Sequence, residues 1–374
     1  MIAVLQSKIQ NPKSKIGMRV IIAAGGTGGH IYPGVAIAHE FKRRDAATEI
    51  LFVGTPRGLE SKIIPREGFE LELMQVGALK SVSVFERTNS LSQLPMSFLA
   101  ARRILKRFKP SVVIGVGGYS SGPTLLVAAL SRMPTMIVEP NAMPGFTNRM
   151  LARFVDAAAL TFEDTLKYFG SRGVVTGNPV RGEFASLKRK ARGDKLNVLV
   201  FGGSQGAHAI NTTMIEAAKL LAPKKNQLAI THQTGERDFE AVKQGYAKAG
   251  FEGADVKPFI HDMARQFENA DVLICRSGAT TAAEVAAAGK AAIFVPFPFA
   301  ADDHQRKNAE AFERVGAGRL ILQKELTPAR LSEELIRLIE NPSEIDRMEE
   351  ASRKLGRVDS AERAVDLAMK VANV

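Results

Sequence analysis

The sequence has 374 residues, a formal net charge of +12 and one cysteine, Cys275, which cannot form an internal disulfide. Its length and its hydrophobic fraction of 45% indicate a globular protein of two domains that needs no metal or disulfide to fold. The positive charge suits nucleic acid, an anionic membrane surface or phosphorylated small molecules, and composition does not choose among them.

The N-terminal segment Met1–Gly17 is predicted to be a loose tail. It begins apolar but turns polar and basic over Ser7–Lys15, so it lacks the hydrophobic core of a secretory signal. No later stretch is long and apolar enough to predict a membrane-spanning helix. The chain has no tryptophan, so no platform for stacking nucleic-acid bases is evident. It also has no zinc-finger or RNA-recognition spacing.

A repeated pattern of strand and turn organises the chain into two halves. Met18–Gly29 reads MRVIIAAGGTGG and Leu196–Gly206 reads LNVLVFGGSQG, so each apolar run enters a glycine-rich turn and then a helical pattern. A continuous apolar run is typical of a strand buried on both faces of a parallel sheet, and glycine permits the sharp turn into the helix. The repeat predicts two doubly wound α/β domains joined by a hinge at Gly177–Asp194.

The remaining predicted elements alternate between strand and helix, as a doubly wound fold requires. In the first half the predicted strands are Ile50–Val53, Leu71–Met74, Val112–Val116, Thr135–Val138 and Ala157–Leu160, with helices that include Pro33–Arg44 and Gly122–Ser131. In the second half they are Leu228–Thr231, Val272–Cys275, Ala291–Val295 and Arg319–Ile321, with helices at Ala279–Ala288, Gln305–Val315 and Pro328–Glu340. Ser360–Val374 is predicted to be an amphipathic helix that packs on either domain.

The first glycine-rich turn, Gly25–His30, is a candidate phosphate site. It follows a strand and opens a helix, so its backbone N–H groups and the helix dipole can attract an anion. The alternative is a purely structural turn, since a single glycine-rich turn is weak evidence. His30 is a candidate general base because imidazole titrates near neutral pH, and its alternative role is a cap or packing residue.

Two further segments of the first half are candidates. Gly115–Gly122 reads GVGGYSSG, and its glycines suggest close approach of a ligand or of another chain segment. Tyr119 within it either closes over an acceptor or packs. Glu139–Asn141 follows the next strand and should lie at the same sheet edge, where Glu139 is a base, a hydrogen-bond orienter or a charge at a helix N-terminus.

In the second half, the turns Gly202–Gly206 and Arg276–Glu284 are candidate sites for a diphosphate. Ser204 can donate to a phosphate oxygen, and the helix that starts after Ser277 can hold a phosphate with its first amides. Glu284 lies one to two turns into that helix, where it either reaches sugar or ribose hydroxyls or is a solvated helical residue.

Two charged segments have both a functional and an ordinary explanation. Asp302–Gln305 is interpreted as a helix start rather than a metal site, with Gln305 as a hydroxyl contact. Phe98–Lys109 is amphipathic and strongly basic. Together with Leu94 and Met96, which precede it, this segment could lie on an anionic membrane face. The alternative for this segment is an ordinary surface helix.

Taken together, the motifs resemble the MurG family, the UDP-N-acetylglucosamine–undecaprenyl-pyrophosphoryl-muramoylpentapeptide N-acetylglucosaminyltransferases of bacterial cell-wall synthesis. They occur in the family's order and cover nearly the whole chain beyond the tail. The motifs are GGTGGHIYPG (Gly25–Gly34), GVGGYSSGP (Gly115–Pro123), GNPVR (Gly177–Arg181), GGSQGA (Gly202–Ala207), CRSGATTAAEVAAAGK (Cys275–Lys290) and FVPFPFAADDHQ (Phe294–Gln305).

The resemblance implies a GT-B fold of two Rossmann-like domains facing across a cleft. Residues 18–181 would form the acceptor and membrane domain, residues 182–358 the donor domain, and residues 359–374 a final helix that packs back on the first domain. It implies an inverting enzyme that converts lipid I into lipid II in peptidoglycan synthesis, with consequences for cell shape and cell division. It also implies a peripheral protein on the cytoplasmic face of the cell membrane, with UDP-GlcNAc and lipid I as partners and no nucleic acid. Donor binding would require no metal, and stimulation by divalent cations stays open.

The resemblance also assigns roles to individual residues. The family's motif places one set of residues against the donor: Thr27, Gly28, Gly29, Asn141, Arg181, Ser204, Ile260, Ala279, Thr280, Thr281, Ala282, Ala283, Glu284 and Gln305. The backbone of Ile260 would frame the uracil, and Gln305 would hold the sugar hydroxyls. The chain departs from the family at Pro140 and His304, where the family often has glutamine.

The implied reaction needs a base and a stabilised leaving group. The acceptor hydroxyl would attack the anomeric carbon through a transition state with oxocarbenium character, while negative charge builds on UDP. The helix starts after Ser204 and Ser277, with Arg181, could stabilise that charge. His30 is the first candidate for the base and Glu139 the second.

Three other function classes share features with this sequence. A nicotinamide or flavin oxidoreductase would need an acidic residue at the end of the second strand, and that strand runs into Gly54-Thr55-Pro56-Arg57. A diacylglycerol glycosyltransferase or a UDP-sugar epimerase of the same architecture is the serious alternative. A nucleic-acid-binding protein would explain the charge but not the two glycine-rich turns.

Overall fold

The computed structural model describes residues 17–26, 28–56, 58–76, 84–188, 190–203 and 206–374. These residues form two α/β lobes, each built on one sheet in which all paired strands are parallel. The N-terminal sheet has seven strands in the order β3-β2-β1-β4-β5-β6-β7, and the C-terminal sheet has six in the order β10-β9-β8-β11-β12-β13. Both orders run outward from the first strand of the lobe, so the predicted pair of Rossmann-like domains is confirmed.

The N-terminal lobe places apolar strands between two layers of helices. Its central strand, Arg19–Ala24, is buried from Val20 onward because both faces of the sheet are covered. The strands are β1 Arg19–Ala24, β2 Glu49–Gly54, β3 Glu70–Leu73, β4 Val112–Gly117, β5 Thr135–Glu139, β6 Ala157–Leu160 and β7 Gly173–Val175. The helices are α1 Gly28–Arg44, α2 Glu60–Arg66, α3 Val84–Phe108, α4 Ser121–Leu130, α5 Phe146–Leu151 and α6 Leu166–Phe169.

The C-terminal lobe repeats this arrangement after a short linker helix, α7 Gly182–Ala185. Its strands are β8 Leu196–Phe201, β9 Leu228–Gln233, β10 Asp255–Lys257, β11 Val272–Cys275, β12 Ala291–Phe294 and β13 Gly318–Leu320. Its helices are α8 His208–Leu221, α9 Phe239–Lys248, α10 Met263–Asn269, α11 Ala279–Ala288, α12 His304–Arg314, α13 Pro328–Glu340 and α14 Pro342–Leu355. The predicted strand Val272–Cys275 and the predicted helices Ala279–Ala288 and Pro328–Glu340 coincide with β11, α11 and α13.

The last helix, α15 Ser360–Val371, returns to the N-terminal lobe. Its buried face, Ala364, Val365 and Ala368, belongs to the core formed around β1, β4 and α1. Its charged face is held by α1, where Arg44 pairs with Asp366 at 2.5 Å. The chain therefore crosses between the lobes twice, which ties the end of the C-terminal lobe to the first helix of the N-terminal lobe.

Among the described residues no helix is both long and apolar enough to span a membrane.

Candidate active site

The first helices of two different motifs meet at the junction of the lobes. The Thr280 hydroxyl, on the first turn of α11, donates to the backbone carbonyl of Gly28 at the start of α1, with an oxygen–oxygen distance of 3.4 Å. The Asn178 amide of the GNPVR segment donates to the Ala279 carbonyl at 3.2 Å. Two glycine-rich helix starts, one from each lobe, therefore lie side by side at the carboxyl ends of their sheets. This is the place where open α/β sheets bind ligands.

In the N-terminal lobe, two glycine-rich turns pack directly on each other. Gly118 has a φ of +84°, and a side chain there would lie 2.3 Å from the Gly25 carbonyl oxygen. A Cβ at Gly117 would lie 2.8 Å from the His30 ring. The GVGGYSSG motif therefore provides space for the first turn and for His30, which is the close chain approach that its glycines suggested.

His30 is held in a setting that favours the neutral ring. Burial lowers the pKa of His30, a hydrogen bond with the Gly25 backbone and the charge of Glu60 oppose this shift, and His304 adds to it. His304 lies on α12 of the other lobe, so the α12 start faces α1. A neutral imidazole can accept a proton, which keeps His30 a candidate base.

Glu60 is a buried residue of this site that sequence reasoning missed. Its Oε2 accepts a hydrogen bond from the Gly26 N–H at 3.0 Å. Its Oε1 accepts from both the N–H and the hydroxyl of Thr55, at 2.8 and 2.9 Å. A carboxylate thus occupies one amide of the first glycine-rich turn, which disfavours an anion at that amide. The sequence signal was an acid at the start of the helix that follows the second strand.

Glu139 is surrounded as an orienting residue. Its side chain is 1% exposed, and its two oxygens accept hydrogen bonds from four N–H groups. The donors are the backbone and side-chain amides of Asn141, the Gly145 backbone and the Asn148 side chain. Burial raises the pKa of Glu139 and these donors oppose the shift. Of its three predicted roles, the geometry favours the hydrogen-bond orienter, because the carboxylate shapes residues 140–148 and has little access to a ligand.

Asn141 is likewise occupied on both sides of its amide. Its Nδ2 donates to Glu139, and its Oδ1 accepts from the Asn308 Nδ2 at 3.4 Å. It is buried against the C-terminal lobe. A contact between its side chain and the donor, as the resemblance implies, would require this amide to exchange a partner.

In the C-terminal lobe, one glutamine joins the two segments implied to hold the nucleoside. The Gln233 Nε2 donates to the Gly203 carbonyl at 2.8 Å, and its Oε1 accepts from the Ile260 N–H at 2.8 Å. Gly206, with a φ of +73°, passes so close to the Thr234 carbonyl that a Cβ would lie 1.8 Å from its oxygen. Gln233 was not predicted, and it fixes the position of Ile260 relative to the GGSQG turn.

The start of α11 has free amides for an anion. Its N-cap, Gly278, makes no side-chain cap, and no acidic residue lies in the first turn. The Ser277 hydroxyl is turned away to donate to the Gln305 carbonyl at 2.8 Å. Ala279 and Ala282 are buried, whereas Thr280, Thr281 and Ala283 are partly exposed. An uncapped N-terminus of this kind attracts negative charge through the helix dipole.

Arg181, which is partly exposed, and Glu284, which is buried, form an ion pair beside that helix start. The Arg181 Nη2 lies 2.9 Å from the Glu284 Oε1, and the guanidinium also stacks over the Tyr32 ring at 5.0 Å. Burial raises the pKa of Glu284, and the charge of Arg181 opposes this shift. Both residues were predicted as donor contacts. Their pairing connects the linker, α1 and α11 at one point.

Gln305 anchors the loop that follows β12. Its Oε1 accepts from the Phe297 N–H at 3.0 Å, so part of its amide is used within the loop. Asp302 and Asp303, both at a φ of 54°, immediately precede α12. Asp302 pairs with Arg149 of the other lobe at 3.5 Å. No group of three or more potential metal ligands converges among the residues that the structure describes.

Five further predicted site residues lie at or near the glycine-rich turns. Tyr119 is 46% exposed and stays available for an acceptor. Thr27 and Ser204 lie outside the described residues. Gly28 and Gly29 form the first residues of α1, partly exposed at the junction of the lobes.

Both lobes match known domains of sugar-transferring enzymes. The glycosyltransferase family 28 N-terminal domain matches residues 20–160, and the family 28 C-terminal domain matches residues 197–364. The chain belongs to glycosyltransferase family 28. The predicted glycosyltransferase class is therefore confirmed, and the unmatched residues between the two domains contain the whole predicted hinge, Gly177–Asp194.

Full-length relatives lie within this family. A UDP-N-acetylglucosamine–N-acetylmuramyl-(pentapeptide) pyrophosphoryl-undecaprenol N-acetylglucosamine transferase of Geotalea uraniireducens is 46% identical, covering 93% of this chain and 97% of the relative. Its counterpart in Syntrophus aciditrophicus is 47% identical over 94% of this chain and 98% of the relative. The predicted resemblance is confirmed by this extent of identity.

Some solved structures resemble this chain in both sequence and fold, and others in fold alone. Acinetobacter baumannii MurG is 32% identical and superposes with a TM-score of 0.78, covering 94% of this chain and 99% of that structure. The predicted GT-B architecture is thereby confirmed. A UDP-GlcNAc 2-epimerase from Neisseria meningitidis superposes with a TM-score of 0.67 at 14% identity, over 94% of this chain and 100% of that structure, and so shares the fold alone.

Proposed function

We propose that this family 28 enzyme transfers N-acetylglucosamine from UDP-GlcNAc to the muramoyl 4-hydroxyl of undecaprenyl-pyrophosphoryl-MurNAc-pentapeptide. The observation that carries the proposal is the junction at which the starts of α1 and α11 meet beside the Arg181–Glu284 pair. A diphosphate donor fits the uncapped start of α11, and an acceptor can approach from the lobe that carries His30. The names of the relatives supply the identity of the sugar and of the lipid.

The C-terminal lobe would stabilise the leaving group. As the bond between the anomeric carbon and UDP lengthens, negative charge grows on the diphosphate. The amides at the start of α11 and the Arg181 guanidinium are fixed in place before the reaction, so they can stabilise that charge without reorganising. For Arg181 to reach the diphosphate it would share its hydrogen bonds between Glu284 and UDP.

The N-terminal lobe would supply the base. His30 is our candidate to accept the proton of the attacking hydroxyl, because its environment keeps the ring neutral. Glu139 is assigned a positioning role, since its oxygens already accept from four donors. In this mechanism inversion follows from attack on the face opposite UDP. Donor binding uses amides and Arg181 and requires no metal, while stimulation by divalent cations stays open.

An exposed apolar face of the N-terminal lobe would meet the membrane that holds the lipid acceptor. Helices α3, α4 and α5 pack side by side, so their outer surfaces form one face. Its large exposed apolar side chains are Met96, Leu99, Leu130, Phe146, Met150 and Phe154. Four exposed cations, Arg102, Arg103, Lys106 and Arg107, lie on α3 beside them. This combination suits a peripheral position on an anionic bilayer, which we place at the cytoplasmic face, where the product would serve wall synthesis, cell shape and division.

Transfer to a lipid acceptor tests the reaction directly. The protein is incubated with radiolabelled UDP-GlcNAc and a synthetic lipid I analogue, in parallel with UDP-glucose and UDP-galactose. We expect label in the lipid only from UDP-GlcNAc, and UDP release only when the acceptor is present. UDP-GlcNAc turnover without acceptor, giving an epimerised sugar, would replace the proposal with an epimerase. Transfer to diacylglycerol instead of lipid I would overturn the acceptor.

The membrane face has its own test. Replacing Arg102, Arg103, Lys106 and Arg107 by Glu should weaken binding to vesicles that contain anionic lipid, because each cation near the surface contributes about 1 kcal/mol. The matched control replaces four exposed cations of the other lobe, namely Lys195, Lys225, Lys243 and Lys248, by Glu. Vesicle binding that falls equally in both variants would argue for a non-specific charge effect.

A further inference from the structure

A buried amide of α12 joins the two lobes. Asn308 is 0% exposed, although asparagine is rarely buried without partners. Its Oδ1 accepts from the backbone N–H of Ala142 in the N-terminal lobe, at 3.0 Å. Its Nδ2 donates to the backbone carbonyl of Ser277 in the C-terminal lobe, at 3.1 Å. One side chain therefore hydrogen-bonds to the backbones of both lobes.

The N-terminal partner of Asn308 is a loop with a defined shape. Asn308 also lies 3.4 Å from the Oδ1 of Asn141, and Glu139 holds the backbone and side-chain amides of Asn141 from the other side. The Thr165 hydroxyl donates to the Ala142 carbonyl at 3.4 Å. The loop is thus fixed within its own lobe, and Asn308 determines where the opposite lobe meets it.

The C-terminal partner is the turn that leads into α11. Ser277 immediately precedes the N-cap Gly278, and its hydroxyl donates to the Gln305 carbonyl one turn before Asn308. The helix α12 therefore fixes the Ser277 peptide from two directions. The orientation of that peptide decides where the first amides of α11 point.

We propose that Asn308 is a positioning residue that couples closure of the lobes to assembly of the donor site, an inference that rests on the proposed function. An amide offers an acceptor and two donors in one plane, so it can satisfy both lobes at once. If the lobes separate, the Ala142 N–H, the Asn141 Oδ1 and part of the Asn308 amide lose their partners. Asn308 thereby favours the closed arrangement that brings His30 and Asn141 to a donor held by α11.

The test compares turnover, UDP binding and lobe separation in Asn308→Asp. The aspartate carboxylate can still accept from the Ala142 N–H. It cannot donate to the Ser277 carbonyl or to the Asn141 Oδ1, so it faces these two oxygens without a hydrogen bond. We expect turnover to fall about 100-fold, as misplacement of reacting groups by an ångström does. The dissociation constant for UDP alone should stay within about three-fold, since the C-terminal lobe holds it. Asn308→Ser, which is smaller and cannot reach both lobes, guards against a folding defect in the aspartate variant.

Lobe separation is measured between spin labels at Ser131→Cys and Lys248→Cys. Both positions are exposed, and Cys275, the single native cysteine, is buried and does not compete for label. With UDP bound, the parent protein should give a narrow distance distribution and both Asn308 variants a broad one. Arg314→Ala is the matched control, because it removes an exposed ion pair between the lobes, 2.9 Å from Asp164, without touching the site. It should leave turnover and distances as in the parent.

Parent-like turnover or parent-like distances in both Asn308 variants would overturn the proposal. UDP affinity that falls as far as turnover would also overturn it, because Asn308 would then be a donor-binding residue. Failure of the parent protein to transfer sugar to lipid I would refute the proposed function instead. The UDP and distance measurements would still decide whether Asn308 couples the lobes.

Discussion

The two lobes share a strand order and a glycine-rich first turn, yet they treat the amides beyond their strands differently. In the N-terminal lobe a buried carboxylate, Glu60, accepts from the Gly26 N–H. In the C-terminal lobe the start of α11 at Gly278 has no side-chain cap and no acid in its first turn. Because an anion is repelled by a carboxylate and attracted by helix amides, this difference favours the start of α11 as the diphosphate site of the proposed function.

Glycine-rich helix starts in the two lobes therefore need not have the same function. The N-terminal turn contributes His30 and a packed platform under Gly117 and Gly118, which suits proton transfer. The C-terminal turns contribute amides, with Gln233 setting the position of Ile260. In the proposed mechanism each lobe supplies one part of the chemistry, and the Arg181–Glu284 pair lies between them.

The N-terminal contribution should produce the largest effect on catalysis. His30→Ala should lower turnover about 100- to 10,000-fold, the range for loss of a general base, while the affinity for UDP stays unchanged. In the parent protein the rate should fall with decreasing pH below the ordinary histidine pKa of 6.5, because burial lowers the pKa of His30 and the base must be neutral. Rate–pH profiles of parent and variant check this. Near-normal turnover of His30→Ala would remove His30 from the role.

The junction of the lobes should be next in size. Arg181→Ala should reduce turnover about 100- to 1,000-fold, since it removes a fixed cation from the departing diphosphate. It also leaves Glu284 buried without its partner, so the pKa of Glu284 should rise further. Arg172→Ala, on the N-terminal lobe surface, is the control. Steady-state kinetics that show a changed KM with unchanged turnover would mean that Arg181 only binds the donor.

The N-terminal carboxylate can be tested through stability. In Glu60→Gln the side-chain NH2 group must face the N–H of either Gly26 or Thr55, which removes a hydrogen bond. We therefore expect a loss of about 1–3 kcal/mol in the free energy of unfolding. Chemical denaturation measures it, with the exposed Glu70→Gln as the control. An unchanged free energy of unfolding would show that Glu60 does not hold the turn.

A buried histidine of the C-terminal lobe, His232, should make stability sensitive to acid. Burial lowers the pKa of His232 to about 3, and its ring bonds Tyr246 and Asn211, which in turn holds the Thr234 carbonyl. Below pH 6.5 His232 is protonated in the unfolded chain but stays neutral in the folded protein. The free energy of unfolding should therefore fall by about 1.4 kcal/mol per pH unit toward pH 3. His232→Gln should flatten this slope. The surface variant His39→Gln should not, and equal slopes in all three proteins would contradict the assignment.

Sequence patterns predicted the fold well where elements are long and buried. The apolar run of β11 and the helix α11 were located to the residue, because both are bounded by glycine or a charge. The short edge strands β7 and β10 were missed, since their residues are only partly buried and carry no clear period. Helix α14 was also missed, because its mean composition is polar and its buried face is narrow.

The site was predicted less completely than the fold for a physical reason. Glycine turns and their neighbouring residues are visible as motifs, so the sequence singled out Gly28, Arg181 and Glu284, which lie at the junction of the lobes. Glu60 and Asn308 act through contacts with segments far away in the chain, and nothing local marks them. Tertiary packing decides which groups such residues bind, including the four donors that surround Glu139.

UDP affinity in two matched glycine variants shows whether the start of α11 holds the diphosphate. Gly278 and Gly145 are both helix N-caps with extended backbone and open space for a side chain, one in each lobe. Calorimetric titration of Gly278→Asp should show UDP affinity reduced at least about ten-fold, or 1.4 kcal/mol, while Gly278→Asn and Gly145→Asp stay close to the parent protein. Equal losses at Gly278→Asp and Gly145→Asp, or none at Gly278→Asp, would contradict the account.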